Sequence, residues 1–260
     1  MGQSIQLACT KETIMRRPLY LAAAIVATVC IHTDAAHAQT LDDIIAANLR
    51  SKGGLEKIKA TTTVRMSGSV VARDMAGQDV KGTMAMVAKR PNLMRRDATV
   101  GGQRIVNGFD GTTLWMAMGT QAPQELPGPQ AAYARQDAEF DSVFVDYKEK
   151  GHKIELVGKE TVGGQAVYHL RVTKKGGRPQ DFYLDAETGL EKRISVTLET
   201  PDGAVLTNVT EFLDYRSVDG RLVPFMTRQI QNGKLTATIT MDKVEFNVPV
   251  EDSFFKMSAK

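Results

Sequence analysis

The chain reads as a mainly β protein with a few helices (α+β). The expected architecture is a single curved antiparallel sheet forming an open half-barrel, with a helical lid on its concave face. Three observations predict this. From Thr61 onward, apolar and polar residues alternate with period two through twelve strand-like stretches. The connectors are short and hold Gly101-Gly102, Asp110-Gly111, Asp219-Gly220 and Asn232-Gly233, the chemistry of tight hairpins and hence of antiparallel neighbours. Two further stretches carry helical periodicity with an apolar face that needs cover. Twist makes so long a sheet curl, and incomplete closure leaves room for helices inside it.

The elements follow in order. Thr40 reads as an N-cap, and Leu41, Ile44, Ile45, Ala47 and Leu49 then recur at helical spacing. Gly53-Gly54 ends this helix, and Leu55 to Ala60 adds a short turn. Val64, Met66, Gly68 and Val70 alternate with Arg65, Ser67 and Ser69, and Val80 to Ala88 repeats the pattern. Asn92 to Val100, Gln103 to Phe109 and Thr113 to Met118 continue it. Gly119 to Gln130, with three prolines, reads as an irregular loop. Ala131 to Lys150 is the second helical candidate, with Phe140, Phe144 and Tyr147 at i, i+4, i+7 and Gly151 closing it. Seven strands then run from Lys153 to Phe246.

The N-terminus has the three parts of a secretory signal: Arg16-Arg17, an uncharged apolar run Leu19 to Ile31, and Ala36-His37-Ala38 before a cleavage point. The apolar run of 13 residues is short of the ~20 that span a bilayer. The expected domains are therefore a signal peptide over 1–38, with Met15 a candidate translation start, and one folded domain over 39–260. The expected location is the periplasm, with cleavage after Ala38. Both cysteines, Cys9 and Cys30, precede residue 39, so the exported chain must rely on packing rather than disulfides.

Composition excludes several classes. A formal charge of +3 spread over 260 residues is too weak for nucleic acid. No G-x-S-x-G elbow, H-E-x-x-H or phosphate-binding loop occurs. His152, after a turn, is expected to be solvated, and His169 to be a half-exposed sheet residue. Asp141/Asp146 and Asp181/Asp185 read as exposed helix and hairpin charges. No catalytic residue, metal ligand or cofactor is assigned, and the chain is read as not an enzyme.

Two features point to function. Seven of the 12 methionines fall between Met66 and Met118; flexible, polarizable side chains suit variable apolar ligands, or ordinary core filling. The helical aromatics and the Pro-rich loop sit where a lid over the sheet would be, or a permanent core. On the ligand reading, Val64, Met66, Met84, Met86, Trp115, Met116, Phe140 and Phe144 line a hydrophobic cavity.

A set of segments in order along the chain adds to this: Gly53-Gly54-Leu55-Glu56-Lys57-Ile58-Lys59, Lys89-Arg90-Pro91-Asn92, and Phe109-Asp110-Gly111 through Trp115. Tyr183-Leu184-Asp185-Ala186-Glu187-Thr188-Gly189-Leu190 and Asn247-Val248-Pro249-Val250 through Phe255 complete it. In these the chain resembles the outer-membrane lipoprotein-sorting proteins, the LolA/LolB-like periplasmic carriers. The resemblance implies an open β half-barrel with a helical lid and a cavity for acyl groups. It implies a soluble periplasmic carrier or binding protein for lipid or lipoprotein acyl chains, acting in lipoprotein sorting or lipid transfer. The lipoprotein machinery of the inner or outer membrane would be its further partner. The alternative is an envelope sensor or scaffold module that binds a protein. An arginine characteristic of the carriers has no matched position; Arg65, Arg95, Arg96 and Arg104 lie on the nearby strands.

Overall fold

The computed structural model describes residues 39–74, 76–126, 138–200 and 203–257. The segment read as a signal peptide lies outside them. The chain opens with α1 (Leu41–Ser51) and α2 (Leu55–Lys59). Thr40 caps α1 in a reciprocal box: Asp43 N–H donates to Thr40 Oγ1 at 3.2 Å, and Thr40 N–H donates to Asp43 Oδ2 at 3.0 Å. The strands are β1 (Thr63–Arg73), β2 (Asp79–Lys89), β3 (Leu93–Val100), β4 (Gln103–Phe109), β5 (Leu114–Met118) and β6 (Gln124–Glu125). After a long connection come β7 (Lys153–Val162), β8 (Gln165–Thr173), β9 (Pro179–Asp185), β10 (Glu191–Glu199), β11 (Val205–Val218), β12 (Arg221–Gln231) and β13 (Lys234–Phe246). A 3-10 helix, Asp252–Phe255, follows. All twelve expected strands are present; the two-residue β6 lies inside the segment expected to be irregular loop.

The strands form one antiparallel sheet in the order β6-β5-β4-β3-β2-β1-β13-β12-β11-β10-β9-β8-β7. Within β1–β6 and within β7–β13, neighbours in sequence are neighbours in space, and β1 pairs with β13 to join the two halves. The two edges, β6 and β7, do not pair with each other, so the sheet is a curved, unclosed half-barrel. Its curvature has local causes. Ladder irregularities fall at Ser67/Gly68, Gln229/Ile230, Glu191/Arg193 and Leu156/Gly158, and such bulges bend and twist a strand. At Gly68 a Cβ would lie 2.0 Å from the Thr240 carbonyl oxygen, so only glycine allows the β13 backbone to approach this closely.

This topology dictates the lid. β6 and β7 are consecutive in the chain yet sit at opposite edges of the sheet, so the connection between them must cross from one edge to the other. Its described part spans the inner face. Ala138 packs with Phe109 and Leu114 of β4 and β5, while Val143 and Phe144 pack with Tyr168, Leu170 and Phe182 of β8 and β9.

The crossing segment departs from the expected helix. Residues 138–151 form successive turns, and the remainder of the helical candidate, 131–137, lies outside the described residues. Asp146 has φ +51°, which breaks a right-handed helix. The Ser142 hydroxyl accepts from the Phe144 N–H at 3.5 Å, and the Val145 N–H donates to the Ser142 carbonyl, three residues back, at 3.0 Å. Local side-chain hydrogen bonding of this kind competes with the helical ladder. The aromatic spacing that resembles a helical face instead places rings on a sheet.

The principal core unites α1, the crossing segment and β7 to β9. Ile44 and Ile45 of α1 meet Phe144, Leu170, Phe182 and Leu184, and the Phe144 and Phe182 rings meet edge to face at 5.4 Å. Asn48 is fully buried and donates from Nδ2 to the Gly189 carbonyl at 2.8 Å. That tight turn is built by Asp185, whose Oδ1 accepts from the N–H groups of Glu187 and Thr188 and from the Thr188 hydroxyl. Burial alone would raise the Asp185 carboxyl; the Thr188 and Glu187 donors outweigh it and hold it below the usual range.

Candidate functional site

A cavity of about 430 Å³ lies between the inner face of the sheet and the crossing segment, within the size range of ligand pockets, about 300–1,000 Å³. β1 contributes Val64 and Met66, and β13 contributes Met241, Val244 and Phe246. Phe212 of β11 and Leu222 of β12 extend the apolar wall, Ile58 of α2 closes one end, and Phe140 of the crossing segment covers it. A second cavity, about 310 Å³, adjoins the first and shares Lys52, Asp141, Ser142, Phe212 and Pro224 with it. The two run along one cleft beneath residues 140–143.

Period-two geometry sorts the eight candidate lining residues, because cross-strand partners share a face. Met66, Met86 and Met116 stand in one row across β1, β2, β3, β4 and β5, through Arg96 and Asn107. Val64 and Met84 occupy neighbouring rows of the same inner face, paired with Ala88 and Gly68. Val64, Met66 and Phe140 border the cavity. Met84, Met86 and Met116 share its face but not its wall. Phe144 is 1 % exposed and belongs to the core beside the cavity.

Trp115 is on the opposite face. It pairs with Gly108, in the row of Arg95, Val87 and Arg65, and consecutive strand residues such as Trp115 and Met116 cannot point the same way. There it is 3 % exposed, with Nε1 donating to the Phe255 carbonyl at 2.8 Å, so its partner is the C-terminal 3-10 helix. Gly108 is required beneath it: a Cβ there would come within 2.2 Å of the indole. The expectation that Trp115 and Met116 share one lining is corrected by the pleat, which sets them on separate faces.

The charged groups around the cleft are ordered. Arg90, at the end of β2, reaches the crossing segment and holds Asp141 with both Nη atoms, at 2.5 and 2.8 Å. It also donates to the carbonyls of Thr61 and Ile58. Lys52 forms an ion pair with Glu191. Tyr215 donates to the Glu191 carbonyl at 2.8 Å, and burial, with the Glu191 carboxylate beside it, pushes the Tyr215 phenol far above its usual value. Arg221 of β12 is 9 % exposed and stacks on the Phe246 ring at 4.3 Å.

His169, His152, Asp141 and Asp185 are more enclosed than expected. The His169 ring is buried between Glu160 Oε1, at 2.6 Å from Nδ1, and Asp181 Oδ1, at 2.9 Å from Nε2, and it stacks on Tyr183. The His152 side chain is 8 % exposed. Its Nδ1 accepts from the Lys175 N–H at 3.2 Å, and burial pushes the imidazole below its usual pKa. Asp141 is 13 % exposed in its pair with Arg90, and Asp185 is buried in its turn. Among the described residues no group of three or more His, Cys, Asp or Glu side chains could hold a metal ion, and no helix is long and apolar enough to cross a membrane.

Phe212, Leu222, Met241, Val244, Phe246 and Arg221 are among the wall residues that sequence reasoning did not single out. Their strands were recognised. Their role comes from the β1–β13 pairing across some 180 residues of chain, which leaves no local signal.

No family model matches the chain, and no curated protein matches it in sequence. Its fold is nevertheless found in solved structures. A DUF1329 family protein from Desulfovibrio piger superposes with TM-score 0.58 at 14% identity, covering 84% of this chain and 98% of that one. A LolA superfamily protein from Nitrosomonas europaea gives 0.54 at 11% identity, covering 84% and 98%. A domain described as an outer-membrane lipoprotein-sorting protein, from Vibrio parahaemolyticus, gives 0.52 at 12% identity, covering 79% and 97%. These likenesses show that the chain has the open-sheet fold of the LolA superfamily and lipoprotein-sorting domains.

Proposed function

We propose that this protein is a soluble periplasmic carrier or binding protein for the acyl chains of lipids or lipoproteins, acting in outer-membrane lipoprotein sorting or lipid transfer. One observation carries the reading: an apolar cavity bounded by Val64, Met66, Met241 and Val244 under a single crossing segment that contributes Phe140. The fold shared with lipoprotein-sorting domains supports it, although a fold alone does not determine function. The mechanism is reversible burial of hydrocarbon, worth about 0.8 kcal/mol for each CH₂ removed from water. Residues 140–141 are tied to the sheet by the Arg90–Asp141 pair and the bond from the Phe140 N–H to the Pro91 carbonyl, while Val143 and Phe144 anchor the segment in the core; the polar end is the part of the roof that can lift. Periplasmic location rests on Arg16-Arg17, the apolar run after them and Ala36-His37-Ala38; the exported protein should begin at Gln39. The test is uptake of a fluorescent fatty-acid probe by purified protein. Saturable uptake is expected, and its absence in well-folded protein overturns the reading.

A further inference from the structure

Arg221 is the one charged residue of the main cavity wall without an opposite charge among the described residues. Lys52 has Glu191, and Asp141 has Arg90. The Arg221 Nη2 donates to the Thr61 hydroxyl at 2.8 Å and to the Lys57 carbonyl at 3.3 Å, both uncharged acceptors. Its Nε is buried with no hydrogen-bond partner. The Phe246 ring lies beneath the guanidinium at 4.3 Å, and the side-chain stem passes so close to Gly53 that a Cβ there would come 2.9 Å from Arg221 Cγ. A purely apolar ligand would be served by an apolar residue here. A buried guanidinium is costly unless it is paired, and its planar fork matches a carboxylate or phosphate.

We infer that the cavity takes an amphiphile with an anionic head group, a carboxylate or a phosphate, which pairs with Arg221 while its acyl chain lies against Met66, Met241 and Val244. The inference rests on the acyl-chain reading above and adds the chemistry of the head. Charge complementarity gives the ligand its orientation: head toward Arg221 and the α2 end, chain along β1 and β13 beneath Phe140.

The experiment compares two probes of identical chain, cis-parinaric acid and its methyl ester, by fluorescence enhancement on the purified protein. The acid is expected to bind about tenfold more tightly than the ester, the worth of one charge-assisted hydrogen-bonded pair. Arg221→Gln should abolish the preference, so that acid and ester bind that variant equally, and Arg221→Lys should retain part of it. Competition against bound acid then separates the two heads. Displacement by dodecanoate alone assigns a carboxylate, by dodecyl phosphate alone a phosphate, and by both a site for either. Equal binding of acid and ester by the unmodified protein overturns the inference and leaves the acyl cavity standing, and needs no variant to fold. Binding of neither probe overturns both. A preference that survives Arg221→Gln, or displacement by neither competitor, also overturns it.

Discussion

Arg90 and Asp141 form a two-point clamp between the sheet and the segment that crosses it. The guanidinium leaves the end of β2 and meets both carboxylate oxygens, at 2.5 and 2.8 Å, while its remaining donors hold the Thr61 and Ile58 carbonyls. The side chains are 28 % and 13 % exposed, so water screens the pair only partly. The Phe140 N–H, one residue earlier, bonds the Pro91 carbonyl at 3.1 Å. The roof of the cavity is therefore pinned to the β2–β3 corner by polar contacts, and its far end by the Phe144 core.

Asp141→Asn keeps the shape and removes the charge. The expected cost is about 1–3 kcal/mol, that of a lost charge-assisted hydrogen bond in a partly enclosed site. Urea unfolding reads the loss, and hydrogen exchange should quicken at residues 140–145 ahead of the β8 and β9 amides. If the roof must lift for loading, probe association should also quicken. Exchange unchanged in that segment would show that the clamp does not hold it.

The pleat separates two effects that the sequence alone would merge. Met66→Asp places a carboxylate in the cavity wall and should weaken fatty-acid probe uptake by about tenfold or more, since an isolated charge in an apolar site is strongly disfavoured. Trp115→Phe, on the other face, should leave uptake unchanged while costing about 1–3 kcal/mol through the orphaned Phe255 carbonyl. Titrating one probe against both variants, beside their urea curves, checks the assignment. Equal losses of uptake would contradict the placement of Trp115 outside the cavity.

Asn48 ties α1 to the β9–β10 turn, and this contact is predicted to be sensitive. Asn48→Ala removes the only donor to the Gly189 carbonyl from α1 side chains and should cost about 1–3 kcal/mol; Asn48→Asp should cost more, because a carboxylate then faces that carbonyl. Gly189→Ala should be destabilising for a second reason: its φ is +73° and its Cβ would lie 2.8 Å from the Asn48 backbone nitrogen. Thermal unfolding of the three variants ranks them, and an Asp variant as stable as the parent would contradict the contact.

The strands were legible because alternation and Gly turns are local. Val64 to Val70 and the Asp219-Gly220 turn state their own conformation, and the Thr40 cap needs only Asp43, three residues on. The crossing segment was not, because Phe140, Phe144 and Tyr147 have helical spacing for a reason unrelated to a helix: they follow turns laid over a sheet. Trp115 and Met116 are consecutive in β5, so period-two alternation, a property of the sequence itself, places them on opposite faces. The wall supplied by β11 to β13 depends on β1 meeting β13, and the enclosure of Asp141 depends on Arg90 arriving from another strand pair. Several segments that carried the family resemblance prove to be joints. Arg90 clamps the roof, Asp185 and Gly189 seat α1, and Asn247 Oδ1 accepts the Thr62 N–H at 2.8 Å.

The last prediction concerns pH. His152 joins the crossing segment to β7, with its Nδ1 accepting the Lys175 N–H at 3.2 Å, so the folded state favours the neutral imidazole: protonating Nδ1 would set two donors against each other. Glu139 faces Nε2 at 3.6 Å and favours the charged ring, while Lys150 and Lys174 oppose it; burial is the largest influence, and the net effect is a lowered pKa. A group whose folded pKa lies below its unfolded value, about 6.5 for histidine, binds more protons when unfolded. Its contribution to stability is therefore complete above that value and is lost as pH falls through the folded one. Stability should decline from pH 7 to pH 5, before the carboxylates titrate, and His152→Gln should flatten that decline while leaving the steeper acid limb below about pH 4. Urea midpoints at half-unit pH intervals for parent and variant provide the check, and parallel curves between pH 7 and pH 5 would remove His152 as the cause.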